Sequence, residues 1–320
     1  MAEALITGSG GQDGVYLTRL LLAKGYTVSG IDLDGRYGEV ERGYPACLTD
    51  RSAIREVVAE SQPDEVYFLA AFHHSSEGAR IAEEELVATS LDVNTLALNQ
   101  VLGALADLRP AARLLYASSS RVFGEAAELV QNEETPLDPV EPYGISKAAG
   151  MHICRYWRRV RGVFAVSAIL YNHESPLRLP CFLSQKIVKA AVKAAHGPSA
   201  ELHLGNLSAQ VDWGHAADTV RAMWLMLQQT DPVDYVVATG QLHTVRDWLD
   251  EAFGMLSLDW RAAVVEDRSL LSRTRATTAL CGDSTRLRRA TGWQPEFIFQ
   301  AMVRDMVKSD LARHGTGSLT

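Results

Sequence analysis

No apolar run in this chain reaches the ~18 residues that cross a bilayer, which excludes a membrane-spanning reading. The amino-terminal segment enters Ala4-Leu5-Ile6 without the charged start and cleavage site of a secretory signal, so a cytoplasmic location is expected. Cysteine is scarce. Cys47, Cys154, Cys181 and Cys281 are scattered without metal-type spacing, so they are expected to be reduced thiols, with no disulfide framework and no metal site. A basic excess is also lacking: 31 Lys and Arg stand against 39 Asp and Glu, a formal net charge of -8. That balance argues against nucleic acid or an anionic membrane as partner and leaves a small molecule. No internal repeat or low-complexity tract interrupts an ordinary globular composition, 47% hydrophobic over 320 residues, enough for one large domain or two modest ones.

What is present is alternation. Short apolar runs at Ala4 to Ile6, Thr27 to Asp32, Glu65 to Leu69, Arg113 to Ala117 and Ala165 to Leu170 alternate with helical-period segments, the pattern of a parallel α/β sheet. Gly14 to Lys24 carries an apolar stripe of Val15, Leu17, Leu20, Leu21 and Leu22, ends at Lys24-Gly25, and is predicted to pack on the sheet. After Tyr171 the texture changes to a Pro-containing loop followed by broken helices, where a second lobe begins. The expected fold is α/β, a Rossmann-type doubly wound parallel sheet with a smaller α/β substrate-binding lobe. Residues 1–170, with a returning segment at about 211–239, form the first unit; 171–210 and 240–320 form the second.

Two local patterns carry chemistry. Thr7-Gly8-Ser9-Gly10-Gly11-Gln12-Asp13-Gly14 lies between the first strand and the first helix, with Gly8, Gly11 and Gly14 spaced for a dinucleotide loop. Such glycines let the backbone approach a pyrophosphate, whose charge then sits at the helix amino terminus. Asp32, at the end of the second strand, suits the adenosine ribose hydroxyls and repels a 2'-phosphate, which favours NAD. Tyr143-Gly144-Ile145-Ser146-Lys147 places Tyr143 and Lys147 one helical turn apart, where an ammonium is expected to lower the pKa of the phenol so that it removes a hydroxyl proton as hydride leaves. Ser118-Ser119-Ser120 follow a strand and present hydroxyls at its carboxyl end.

Glycine loop, strand-end serines and Tyr-x-x-x-Lys in this order resemble an extended short-chain dehydrogenase/reductase of the NAD-dependent epimerase/dehydratase type. Leu170-Tyr171-Asn172-His173-Glu174-Ser175-Pro176, Leu204-Gly205-Asn206-Leu207, Asp212-Trp213-Gly214-His215-Ala216 and Asp234-Tyr235-Val236-Val237-Ala238-Thr239-Gly240 narrow this. With Gln12-Asp13-Gly14 and Pro63-Asp64-Glu65-Val66-Tyr67 they resemble the GDP-mannose 4,6-dehydratase family from about residue 4 to about residue 310. The resemblance implies a catalytic triad of Ser119, Tyr143 and Lys147. It implies cofactor contacts from Gly8, Gly11, Gln12, Asp13, Gly14, Asp32, Asp50, Leu69, Ala70 and Ala71, besides Tyr143 and Lys147. It implies substrate contacts from Ser120, Arg121, Asn172, Glu174, Lys186, Asn206 and Arg273, a GDP-sugar substrate, and a homodimer with a homotetramer as the alternative.

The departures matter as much. The family's acid/base glutamate, used in losing water across C5 and C6, is replaced here by Arg121, which stays protonated and offers no acceptor. The basic NADP loop is replaced by Asp32-Leu33-Asp34-Gly35, Val211 stands where an arginine is usual, and Cys47 where an aspartate is. His73 and His74 are substitute acid/base candidates because histidine titrates near neutrality. The expectation is an NAD-dependent GDP-sugar epimerase working through a transient 4-keto intermediate. A 4,6-dehydratase with a substituted acid/base and a catalytically inactive NAD-binding regulator are the alternatives.

Overall fold

The computed structural model describes residues 1–33, 35–74, 81–197, 201–270 and 279–316. The first half alternates β1 (Glu3–Thr7), α1 (Gln12–Ala23), β2 (Thr27–Ile31), β3 (Arg42–Tyr44), α2 (Arg51–Ser61), β4 (Glu65–Phe68), α3 (Glu83–Leu91), α4 (Ala97–Leu108) and β5 (Arg113–Ala117). It continues through β6 (Val130–Gln131), α5 (Pro142–Arg161), β7 (Phe164–Leu170) and β8 (Asn172–Glu174). Then come α6 (Leu183–Ala195), β9 (Leu202–Leu204), β10 (Gln210–His215), α7 (Ala216–Leu227), β11 (Tyr235–Val237) and β12 (Leu242–Thr244). The chain closes with α8 (Val245–Gly254), β13 (Val264–Glu266), β14 (Cys281–Gly282), α9 (Thr285–Thr291) and α10 (Phe299–Thr316).

Seven strands form one parallel sheet in the order β11-β7-β5-β4-β1-β2-β3. Strand order reverses at β1, so a crevice opens beyond the carboxyl ends of β1 and β4, the place where open α/β sheets bind ligands. Both faces are covered, which is why the strands are nearly continuous apolar runs. One layer packs Leu98, Val101, Leu105, Met151 and Cys154 of α4 and α5 against Leu114 and Tyr116. The other packs Leu17 and Leu21 of α1 and Met223 and Met226 of α7 against Ile6 and Leu115. Leu22 is 36% exposed, so the stripe on α1 is narrower than its sequence suggests.

Helix α5 lies unusually close to the sheet. It opens with Pro142 in its first turn and stops at Gly162 in the left-handed region. A Cβ on Gly150 would stand 2.4 Å from the Tyr116 hydroxyl, so only glycine fits at that crossing.

The other lobe joins the β12-β10-β8 and β13-β9 sheets to α6, α8 and α10 around Trp213, Trp248 and Phe299. Leu287 of α9 and Trp293 pack in the cluster beneath the large sheet, so residues within the 240–320 stretch also serve the sheet side. Asp212 ties the strands together. Fully buried, it accepts from Thr239 N at 3.0 Å, Thr239 Oγ1 at 2.5 Å, Gly240 N at 2.9 Å and Gly282 N at 3.1 Å. Asp212→Ala strips the partner from three backbone amides and is expected to cost about 3 kcal/mol or more in urea denaturation, and Asp212→Asn, whose NH2 would face backbone donors, a comparable amount. Small losses for both would show that the amides find other partners.

Candidate active site

The chain turns at Gly8, φ +72°, and Gly8 N donates to Ile31 O at 2.7 Å, fastening the loop to the end of β2. A Cβ on Gly14 would meet Ser9 O at 2.5 Å, so the third loop glycine is required by contact. Helix α1 starts at Gly11 with no side-chain cap, which leaves its first amides available to an anion. Ala70 packs over this turn: a Cβ on Gly8 would lie 3.0 Å from Ala70 Cα, and Ala70 N donates to Thr7 Oγ1 at 3.2 Å. Leu69 and Ala70 are half-buried beside it and Ala71 is exposed. Asp32 follows β2 directly and is half-buried. Asp50 also caps α2, its Oδ1 accepting from Ser52 N at 2.8 Å and Ala53 N at 3.2 Å.

The side chains of Gln12 and Asp13 turn toward the other lobe. Asp13 Oδ2 pairs with His173 Nε2 at 2.9 Å, Gln12 Nε2 donates to His173 O at 3.1 Å, and Ser175 Oγ donates to Gln12 Oε1 at 2.8 Å. Burial opposes both charges, but the attraction between Asp13 and His173 prevails: the Asp13 carboxyl is held below its usual range and the His173 imidazole above. The glycine loop is thereby fastened to β8. A sequence motif shows that Gln12 and Asp13 belong to the loop, but not that their side chains face 160 residues down the chain.

Ser119, Tyr143 and Lys147 converge. Ser119 begins a short 3-10 turn, its hydroxyl accepts from Arg121 N at 3.2 Å, and its polar influence lowers the pKa of the Tyr143 phenol against the larger effect of burial. Lys147 is 1% exposed and donates from Nζ to Ala117 O at 2.7 Å, with its ammonium 5.6 Å from the Tyr143 ring centroid. Burial dominates both groups. The Tyr143 phenol is pushed up to about 12 and the Lys147 ammonium down to about 7. The sequence expectation that Lys147 by itself lowers the phenol's pKa is therefore corrected: the opposing cation that acts most on Tyr143 is Arg178.

Several neighbours were not legible in the sequence. Asn94 sits in a π-helical turn, Asp92–Leu96, between α3 and α4. Its side chain brackets Phe72 N at 2.8 Å and Phe72 O at 3.1 Å and donates to Ser146 Oγ at 3.0 Å, fixing the loop after β4 against α5. That loop lays His73 edge-on to Tyr143, centroids 5.0 Å apart, while His74 makes no ring contact with it among the described residues. Arg121 Nε pairs with Glu141 Oε1 at 2.5 Å, and its Nη2 is buried without a hydrogen-bond partner. Glu141 immediately precedes α5 and its charge also bears on Tyr143.

The remaining substrate candidates are more dispersed. Glu174 is 3% exposed and engaged by Ser184 Oγ at 2.5 Å and Arg178 Nε at 3.2 Å. Ser120 is buried, Asn172 is exposed on β8, and Lys186 is half-buried on α6. Asn206 is exposed and accepts from Ser208 N at 2.9 Å within its own turn. Arg273 lies outside the described residues. Val211 pairs with His243 across β10 and β12, and Cys47 is exposed beside Thr49. Among the described residues no group of three His, Cys, Asp or Glu side chains is placed to hold a metal ion, and no helix is long and apolar enough to cross a membrane.

A glycine loop, strand-end hydroxyls and a Tyr-x-x-x-Lys helix meeting at one edge of a parallel sheet define an extended short-chain dehydrogenase/reductase. The family model described as GDP-mannose 4,6 dehydratase matches residues 5–306. GDP-mannose 4,6 dehydratase 2 of Arabidopsis thaliana is 39% identical over 327 residues, covering 96% of this chain and 86% of that one. GDP-mannose 4,6-dehydratase of Sinorhizobium fredii is 36% identical, covering 97% and 96%. A solved Thermus thermophilus UDP-glucose 4-epimerase in complex with NAD superposes with a TM-score of 0.83 at 24% identity, covering 97% of this chain and 98% of that one, a likeness of fold. The chain belongs to the GDP-mannose 4,6-dehydratase family and is an enzyme of that family.

The buried Lys147 charge predicts a pH signature. Its folded value, about 7, lies below the ordinary 10.5, so between those limits the unfolded chain binds the extra proton and stability rises with pH. Lys147→Met should be more stable than the parent at about pH 6, with the advantage shrinking by about 3 kcal/mol by about pH 9. A constant difference in denaturation at the two pH values would contradict this.

Proposed function

We propose that the protein is an NAD-dependent GDP-sugar epimerase that oxidises C4 of the sugar, lets the 4-keto intermediate turn, and returns hydride to the opposite face. The observation that carries the reading is Arg121: it follows the strand-end serines where the family's glutamate belongs, and its guanidinium is paired with Glu141 at 2.5 Å. A guanidinium cannot abstract the C5 proton that dehydration requires.

The residues present fit a bound NAD. The uncapped start of α1 and the glycines at 8, 11 and 14 suit the pyrophosphate. Asp32 suits the adenosine ribose, and Leu69 to Ala71 form the wall leading from the loop toward Tyr143. Once bound, NAD supplies the acceptor that takes hydride from C4 and gives it back. Tyr143 removes the C4 hydroxyl proton, Ser119 holds the same oxygen, and Lys147 anchors the site through its buried bond to Ala117 O. Arg121 is assigned to the C6 end of the sugar. Asn172, Lys186, Asn206 and Arg273 are assigned to the nucleotide diphosphate and base. The supporting relatives are named for GDP-mannose, and the NAD assignment agrees with the acidic end of β2. We also assign a homodimer across α4 and α5, where Tyr156 and Val160 of α5 are 59% and 52% exposed and Leu96, just before α4, is 49% exposed.

Glu141 supports a second reading, 4,6-dehydration with this carboxylate as the substituted acid/base, because its charge lies close enough to act on Tyr143. Product mass separates the two: an isomer retains the mass of the GDP-sugar, whereas dehydration lowers it by one water. Epimerisation predicts an isomer from both the parent and Glu141→Gln, and a loss of about 100-fold or more in kcat for Tyr143→Phe. A product lighter by water, abolished in Glu141→Gln, would establish the second reading.

A further inference from the structure

The loop after β4 is bolted to the catalytic helix. Asn94, fully buried, holds Phe72 by both backbone groups, accepting from Phe72 N at 2.8 Å and donating to Phe72 O at 3.1 Å. The same amide donates to Ser146 Oγ at 3.0 Å, and Ser146 Oγ donates to Tyr143 O at 2.8 Å. Thr95 Oγ1 adds a bond to Ser146 O at 2.8 Å. One hydrogen-bond set therefore fixes both the residue before His73 and the first turn of α5, which carries Tyr143. With its backbone so registered, the His73 ring stands at 82° to the Tyr143 ring with centroids 5.0 Å apart, an edge-to-face contact that ring quadrupoles favour. The same imidazole meets Phe182, 5.7 Å away at 31°. Phe182 stands at the start of α6 in the other lobe, with the Arg178 guanidinium carbon 3.7 Å from its ring centroid. The turn that bears Arg178 is tied to α1 by Ser175 Oγ to Gln12 Oε1 at 2.8 Å and to α10 by Arg313 Nη2 to Pro176 O at 2.9 Å. His73 itself is exposed, so its ring is held by these aromatic neighbours and not by burial in a core.

We propose that His73 is a positioning residue for the general base: its ring, in contact with Tyr143 and with Phe182 of the other lobe, holds the Tyr143 ring in one orientation by packing and not by proton transfer. The assignment rests on the reading of Tyr143 as the base. The last torsion of a tyrosine side chain is broad and two-fold on its own, so the plane of the ring is set by what packs against it. A ring left open on this side can swing and turn, which takes the phenolic oxygen and its in-plane lone pair off the C4 hydroxyl. Small misplacements of a reacting group are costly in rate. Edge-to-face contact needs a ring at position 73 and no imidazole nitrogen, which separates this role from that of a substitute acid or base. Phe182 backs the same imidazole from the second lobe, so the orientation of the base depends on both lobes through direct contact.

The main test needs neither sugar nor turnover. 3,5-Difluorotyrosine installed in place of Tyr143 carries one fluorine on each edge of the ring. A held ring gives two 19F NMR resonances of equal area, and a rapidly flipping ring gives one. The parent should show two, His73→Ala one, and His73→Phe two again. Phe182→Ala, which removes the support from the other lobe, should also merge the pair and gives an independent reading should His73→Ala fail to fold. In turnover, His73→Ala should lower kcat about tenfold with KM little changed, and His73→Phe should recover it. A single resonance in the parent, or two retained in folded His73→Ala or Phe182→Ala, overturns the proposal. An equal loss of kcat in His73→Ala and His73→Phe also overturns it, since the imidazole would then act as an acid or base. The expected merging in an enzyme that makes no isomer would leave the positioning role standing and remove the epimerase reading instead.

Discussion

The bond from Lys147 Nζ to Ala117 O, 2.7 Å long and sealed from solvent, fixes the rest of the site. It joins the first turns of α5 to the last residue of β5, the strand whose continuation carries Ser119. The close approach depends on glycine: besides Gly150 over Tyr116, a Cβ on Gly144 would stand 2.5 Å from Arg121 O. Tyr143 is thus set over the crevice with its phenol beside Ser119. Dryness is the cost of this placement, because an environment that buries an ammonium and a phenol disfavours the charged form of each.

Charged groups from both lobes gather nearby. The glycine loop carries Asp13 and the second lobe carries His173, Glu174 and Arg178, and these are linked by ion pairs at 2.9 and 3.2 Å. The start of α1 and the turn after β8 are therefore joined mechanically and electrostatically where they meet. Loops that bind ligands are often the least restrained segments of a fold. Here the turn after β8 is tied to α1 and α10 by hydrogen bonds.

Much of this was readable from sequence because it is local. The strand-glycine-helix run around Gly8 to Gly14, the spacing of Tyr143 and Lys147, and the serines after Arg113 to Ala117 are short-range patterns that the fold places at one sheet edge. What sequence did not show is set by tertiary contact. Nothing near Asn94 announces a π-helical turn, nothing near Glu141 announces Arg121 as its partner, and Arg178 reads as a loop charge until Phe182 and His73 place it. Asp50 caps α2 through Oδ1, a task its sequence context did not show.

On the proposed epimerase reading, Arg121 leaves the removal of hydride from C4 intact and takes the place of the carboxylate that would withdraw a proton from C5. Turnover of the GDP-sugar substrate in heavy water reads this difference directly. Hydride returned to the carbon it left exchanges nothing with solvent, so the isomer formed should carry no carbon-bound deuterium. Deuterium at C5 or C6 of the product would contradict the account.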